Sequence, residues 1–347
     1  MRALMKVEKG EGHFEVRDIP KPIITKPDDI LIKVSAAGVC GTDIHILHDK
    51  FQNYPPVVLG HEFSGIVEDV GENVERFKQG DRVVGEPHTL ACGICDACRH
   101  GKIQICKSKR SPGWGIDGAF TDYLVMPEKM LHRVPGNVSQ EVAALAEPTA
   151  IVTHAVLERG RVEPQDFVVV VGAGPIGVLS AFVAKMNGAA RVAVVGVDAD
   201  EPLRFKVADK LGADIIINAS KKDVAAEIFD LTNGRGADLV VEASGSQSGV
   251  NTAIDIVRQC GRITAIGLSA KDSIQVKWDA MINKVLDVAF NLSSSYSSWD
   301  RALSMMERSP YDLSAAITQR ESIENWESVF DEIQKGNAVK AMFFPAS

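Results

Sequence analysis

No run of basic residues crosses this sequence: its 38 Lys and Arg are scattered among 46 Asp and Glu, for a formal net charge of −8. A polyanion-binding surface needs cations gathered on one face, so nucleic acid is not an expected partner. An apolar leader is missing as well. Residues 1–9 carry charges where a signal peptide needs an apolar core, and a cytoplasmic protein is expected. Nor is there an unbroken membrane span. The most apolar stretch, 167–186, has the length of one, but Gly172, Gly174, Pro175 and Gly177 interrupt it, and a buried strand running into a buried helix accounts for it better. Internal repeats are absent, and only the serine-rich 293–298 approaches low complexity. What remains, 347 residues with 45% apolar and 24% charged, is ordinary for a globular chain of about two domains.

The six cysteines stand at 40, 92, 95, 98, 106 and 260, four of them close together. In a large acidic chain without a leader they point to reduced thiols and metal rather than disulfides. Cys92, Cys95, Cys98 and Cys106 follow C-x2-C-x2-C-x7-C, a spacing that lets thiolates of one loop close a tetrahedron around a soft divalent ion. Such a site has no position left for substrate. It is structural, clamping a lobe at about 88–112 that is too small to hold its own core, and replacing Cys95 by Ser is expected to destabilise it. An iron–sulfur cluster would use similar ligands.

Up to about residue 150 the chain reads as short β-branched runs at 30–34, 65–70, 82–85 and 120–125, separated by Gly, Pro and Asp. From residue 166 strands and helices alternate. Strands are expected at 167–171, 191–197, 215–217, 238–242 and 261–267, with helices at 177–187, 203–211, 224–231 and 249–257 between them. That order implies right-handed crossovers and a parallel sheet covered on both faces. After about 283 the rhythm weakens to a serine-rich loop, helices near 299–307 and 323–335, and a last apolar strand at 341–344.

Between the first of these strands and its helix lies Gly172-Ala173-Gly174-Pro175-Ile176-Gly177, the G-x-G-x-x-G arrangement in its strand-to-helix context. The first glycine permits the turn, the second admits a pyrophosphate to the backbone, and the third lets helix and strand pack closely. A dinucleotide is the expected ligand. The acid that should hold its ribose hydroxyls is not cleanly placed, because Gly196 and Asp198 both lie near the required distance. Asp198, with Asp200 and Glu201 behind it, favours NAD by repelling a 2′-phosphate; with Gly196 at the strand tip, Arg204 could reach that phosphate and NADP becomes an option. These acids could also merely solvate a turn.

Two small-residue turns carry further metal-ligand types: Val39-Cys40-Gly41-Thr42-Asp43-Ile44-His45 and Gly60-His61-Glu62-Phe63-Ser64-Gly65. Ala146-Glu147-Pro148 adds an acid just before the cofactor segment. Together with the cysteine lobe and the glycine loop, these motifs resemble the zinc-containing medium-chain alcohol dehydrogenase family along the whole chain. Within it they resemble the sorbitol (iditol), threonine and butanediol dehydrogenase branch, since Glu147 stands where classical alcohol dehydrogenases have cysteine. The resemblance implies an α/β plus β fold: a GroES-like β-barrel domain of residues 1–148 and 283–347, a Rossmann domain of 149–282, and active chemistry in the cleft. It implies that Cys40, His61 and Glu62 bind a catalytic zinc, with Glu147 a ligand or the holder of its water. That makes two zinc per chain, the catalytic one acting as a Lewis acid on a secondary alcohol. By the same resemblance Thr42 takes the alcohol proton, His45 relays it, and Asp43 fixes the tautomer of His61. Homodimers or homotetramers are usual in such a family. The bland alternatives are a Thr42 that caps a turn and surface-polar Asp43 and His45. Glu62→Ala is expected to abolish turnover and spare the fold.

For the substrate pocket, Phe51, Tyr54, Trp114 and Phe120 are candidates, with ordinary core as the alternative. Polyol enzymes of the family have an arginine soon after the position of Phe290, and this chain reads Asn291-Leu292-Ser293-Ser294-Ser295-Tyr296 there. The absence of arginine argues against sorbitol itself, while Asn291, the serines and Tyr296 suit another alditol, a cyclitol or a sugar-alcohol phosphate. Threonine or a small diol is the alternative. An inactive cofactor-binding relative would have lost the zinc ligands, and a zinc-free quinone reductase would lack the cysteine lobe and the Gly-His-Glu turn; both are present here.

Overall fold

The computed structural model describes residues 1–345 and divides into two compact units, one of residues 1–147 and 317–347, the other of 148–316. Four apolar strands with the expected bounds or close to them, Phe167–Val171, Arg191–Gly196, Ile215–Asn218 and Ala237–Glu242, build the second unit. With Val257–Ala265 and Asp287–Phe290 they form one six-stranded sheet in which every pairing is parallel. In chain order the strands lie 3-2-1-4-5-6, the doubly wound arrangement. Phe167–Val171 and Ala237–Glu242 are buried at every position, as a sheet covered on both faces requires.

The boundary expected near residue 283 lies instead at Ala316/Ile317. Asp287–Phe290 is a sixth strand paired in register with Arg262–Ala265, so this segment continues the parallel sheet. It was illegible in the sequence because it spans only four residues and leaves none of them fully buried. The serine-rich run is a loop as far as Ser295 and then enters the helix Tyr296–Glu307: Ser295 is its N-cap, its Oγ accepting from the Ser298 amide.

The first unit is antiparallel-rich. The long strand Asp29–Gly38 pairs antiparallel with Glu62–Val70 and with Tyr123–Pro127, and the sheet runs on through Arg82–Gly85 to Leu131–Arg133. Its far edge is supplied by the end of the chain, Lys340–Phe343 pairing with Gly38 and Ala37, and Ile317–Glu321 beyond it. Arg2–Lys6, Phe14–Asp18 and Val57–Val58 form a smaller sheet. Leu4, Ile30, Ile32, Leu59, Phe63, Phe120 and Phe343 make the core between them. No helix among the described residues is long and apolar enough to cross a membrane.

Candidate metal centres and dinucleotide cleft

Three ligand-type side chains meet inside the first unit. Cys40 is the N-cap of the short helix Gly41–Leu47, His61 precedes the strand Glu62–Val70, and Glu62 opens it. One donor atom of each lies within 4.8 Å of the others. His61 and Glu62 are buried, and burial pushes the Cys40 thiol up, with the Glu62 carboxylate adding to it. Neutral thiol, imidazole and carboxylate crowded in the dark of a core are a costly arrangement unless a cation joins them. The pair of strands that carries them is tight: a Cβ on Gly38 would run into the Glu62 carboxylate. Glycine there makes room for the acid.

Glu62 already has one cation. Lys340, from the last strand, sets Nζ 2.7 Å from Oε1 and 2.6 Å from Oε2, and donates to the Val39 carbonyl at 3.0 Å. No sequence motif marks Lys340, although a lone lysine opening the apolar run Ala341–Met342–Phe343 is an available signal, because charge inside a buried strand demands a partner.

Asp43 is fully buried; its Oδ2 accepts from the Cys40 amide at 2.9 Å and its Oδ1 stands 3.8 Å from His61 Nδ1. That is contact between the expected partners but longer than a hydrogen bond. Burial pushes the Asp43 carboxyl up. Thr42 Oγ1 lies 3.7 Å from Cys40 Sγ, and both Thr42 and His45 are half-buried on the same short helix. Glu147, in the first turn of the helix Ala146–Thr153, is buried with Oε2 unpartnered. Burial first, then the negative charge of Glu62, pushes its carboxyl up to about 7 against the opposing pull of His61, Lys340 and Lys109. Its oxygens are outside the tight group formed by the other three.

Of the aromatic candidates, Trp114 stands edge-on to His61 with ring centroids 5.0 Å apart, and Phe51 edge-on to Trp114 at 5.4 Å. The Tyr54 amide donates to the Trp114 carbonyl. Phe120 is core, fully buried and packed on Phe343. In the second unit, Ser294 accepts from the Trp299 indole and Ser295 donates to Glu158, so these serines serve the helix start rather than a free polar surface. Asn291 donates to the Ser293 carbonyl, while Phe290 and Tyr296 are exposed.

The second cysteine group is made by Cys92, Cys95, Cys98 and Cys106, whose Sγ atoms all fall within 4.8 Å of one another. None forms a disulfide. Amides of Ile94 and Cys95 aimed at Cys92 draw its thiol down to about 6, which favours the thiolate a soft cation needs. Four sulfurs at this spacing fit a closed tetrahedral zinc site, and the thiol, imidazole and carboxylate of the first group fit an open one.

The dinucleotide loop lies in the second unit. Gly172 has φ +110°, and a Cβ on Gly177 would collide with the Gly172 carbonyl. Pro175 starts the helix Pro175–Met186 two residues earlier than the sequence suggests, with Gly174 as N-cap and open space where a Gly174 side chain would be. The loop opens on a cleft of about 780 Å³ lined by Gly172, Gly174, Gly196, Asp200, Arg204 and Lys222, among others. Pro175, Ile176 and Gly177 present the helix start, whose free amides favour an anion.

Of the acids at this strand tip, the cleft is lined by Asp200 rather than Asp198. The strand ends on Gly196; Asp198 is exposed and bonded to Asn218, and it does not line the cleft. Asp200 does. Its Oδ2 accepts from the Val197 amide, its Oδ1 holds Arg204 at 2.9 Å, and it lies 2.7 Å from where a Cβ of Gly196 would stand. A short helical turn at Asp198–Asp200 folds the later acid back over the strand tip, something spacing alone does not reveal.

Residues 26–136 match the family model of the alcohol dehydrogenase GroES-like domain, and residues 175–308 that of the zinc-binding dehydrogenases. The chain is 35% identical to the sorbitol dehydrogenase of Halalkalibacterium halodurans, over 99% of each chain. It is 33% identical to the D-arabitol-phosphate dehydrogenase of Enterococcus avium, over 99% of this chain and 97% of that one. A zinc-binding dehydrogenase from Sinorhizobium meliloti, solved bound to NADP, superposes with a TM-score of 0.91 at 28% identity over 99% of each chain.

Proposed function

Because the chain belongs to the zinc-containing alcohol dehydrogenase family, we propose that Cys40, His61 and Glu62 hold the catalytic zinc of an oxidoreductase that moves hydride between a polyol or sugar-derived secondary alcohol and NAD(P). The observation that carries this is the convergence of the half-buried Cys40 with the buried His61 and Glu62, together with Glu147, a further buried acid with an unpartnered oxygen. Zinc bound there supplies Lewis acidity, which favours the deprotonated alcohol. Thr42 accepts the alcohol proton and His45 carries it towards solvent. With NAD(P) bound in the dinucleotide cleft, the cofactor would take a hydride from the carbinol carbon, so that alcohol and oxidised cofactor would become ketone and reduced cofactor, with one proton released. Glu147 would be a further ligand of that zinc or hold a water there, and Asp43 would hold the His61 ring in place. Cys92, Cys95, Cys98 and Cys106 hold a second, structural zinc.

For the cofactor, NAD is the first reading: the Asp200 carboxylate over the strand tip accepts ribose hydroxyls and repels a 2′-phosphate. NADP is the second, favoured by Arg204 and Lys222 in the same cleft. The protein is read as a cytoplasmic homodimer or homotetramer. Threonine and 2,3-butanediol are the alternative substrates. The retained metal-ligand set speaks against an inactive relative. The test is reduced-cofactor formation at mildly alkaline pH with NAD or NADP and alditols, cyclitols, sugar-alcohol phosphates, threonine and 2,3-butanediol. Turnover of a polyol by zinc-loaded enzyme is expected. No turnover of any of them by enzyme with full zinc overturns the reading.

A further inference from the structure

An exposure gradient leads outward from the metal group: His61 is 4% exposed, Trp114 on its edge is half-buried, and Phe51 beyond Trp114 is 36% exposed. These rings make a continuous aromatic wall from the buried His61 to the exposed Phe51. Beyond it stand two cations, with the Asp49 carboxylate near enough to Lys9 to feel its charge. Arg110 lies with its Cζ 3.7 Å from the centre of the Tyr54 ring, and Lys9 Nζ approaches the same ring at 5.8 Å. Tyr54 is tied to the wall, its amide donating to the Trp114 carbonyl at 2.8 Å. Among the described residues neither Arg110 nor Lys9 is in an ion pair. Arg110 reaches only the carbonyls of Ser108 and Lys109, at 3.3 and 3.4 Å, and Lys9 donates to the Asn53 carbonyl. In a chain of net charge −8, the stretch from Ala97 to Ile116 holds Arg99, Lys102, Lys107, Lys109 and Arg110 and no acid. The next residue, Ser111, adds a fully buried hydroxyl with no partner, which is costly unless something else bonds it.

We propose that Arg110, supported by Lys9, binds a phosphate on the substrate, so that the alcohol this enzyme oxidises is a phosphorylated sugar alcohol. The inference rests on the dehydrogenase reading and narrows its substrate class. A guanidinium held over a tyrosine ring by its Cζ has less freedom than one in open solvent, and its fork of donors can grip two phosphate oxygens at once. The aromatic wall then spans the carbon chain between the phosphate and the reacting hydroxyl beside His61.

The experiment measures kcat/KM of the zinc-loaded enzyme for arabitol phosphate and for arabitol, in wild type and in Arg110→Ala, Arg110→Lys and Lys9→Ala. Wild type is expected to prefer the phosphate. Arg110→Ala should cut that preference on the order of tenfold to a hundredfold, with the loss falling on KM, and Arg110→Lys should restore part of it. Inorganic phosphate should compete with arabitol phosphate in wild type and compete less well in Arg110→Ala. Equal efficiency on arabitol and its phosphate, or a preference unmoved by Arg110→Ala, overturns this inference and leaves the dehydrogenase standing. Failure of zinc-loaded enzyme to oxidise any of the alditols, cyclitols, sugar-alcohol phosphates, threonine and 2,3-butanediol overturns the dehydrogenase reading itself.

Discussion

Lys340 closes on both carboxylate oxygens of Glu62, at 2.7 and 2.6 Å, with the two side chains 4% and 1% exposed. A buried ion pair is weak evidence for stability in itself, yet removing one member leaves the other charged and unpaired in the core. Lys340→Met is therefore expected to cost about 3–5 kcal/mol when variant and wild type are both stripped of metal, so that zinc cannot stand in as the partner of Glu62, read from denaturant unfolding. Unfolding indistinguishable from wild type would show that Glu62 has another cation close enough to replace the lysine.

The same pair revises what Glu62→Ala does. Read from the sequence, that change abolishes turnover and spares the fold; with Lys340 in place it strands a buried ammonium. Glu62→Ala is expected to lose stability as well as activity, and adding Lys340→Met to it should recover stability without activity. Thermal melts of the single and double variants decide it: a double variant no more stable than Glu62→Ala refutes the coupling.

Metal content provides an independent check. Elemental analysis is expected to find about two zinc per chain. Cys95→Ser should lose one of them and melt well below wild type, because lobe closure by a metal of this kind contributes on the order of 10 kcal/mol locally. Cys40→Ser should lose the other zinc and turnover while the lobe keeps its own. A single zinc in the wild-type protein would remove the catalytic metal from this account.

How far the sequence carried depended on whether a signal was local. The four cysteines, the glycine loop and the strands Phe167–Val171 and Arg82–Gly85 stand where spacing and hydropathy put them, because each is written in consecutive residues. Lys340 meets Glu62 across 278 positions, and no pattern within either segment names the other. The strand Asp287–Phe290 was hidden by its shortness and exposure, and the boundary at Ala316 with it. The serines at 293–295 looked like a polar surface because capping and ligand binding draw on the same hydroxyls.

At the cofactor cleft, the exchange of Asp198 for Asp200 makes a prediction of its own. If Asp200 selects NAD, Asp200→Ser removes the carboxylate, frees Arg204 and moves the kcat/KM ratio towards NADP by about tenfold or more. Asp198→Ser, exposed and outside the cleft, should leave the ratio near wild type. The reverse pattern would return the ribose to Asp198. A wild type that already prefers NADP, and loses it in Arg204→Ala, would make Arg204 the reader of the 2′-phosphate.

Acid stability of the second unit should hinge on Asp238, the second residue of the buried strand Ala237–Glu242. Burial opposes its charge, but the Phe167 amide at 2.9 Å and the guanidinium groups of Arg258 and Arg235 outweigh it and hold the carboxyl below the usual carboxylate range. A carboxyl whose pKa is lowered by folding stabilises the native state fully above its unfolded pKa. That contribution drains away as pH falls through the folded value, since the unfolded chain binds the proton first. Wild type should therefore lose stability steeply on acidification below the ordinary Asp range, and Asp238→Asn should be less stable at neutral pH with a flatter acid limb. Denaturant midpoints from pH 7 to pH 3 test this. Parallel acid limbs in the two proteins would mean that Asp238 keeps its proton affinity on folding, and that the two arginines bond it without shifting its charge.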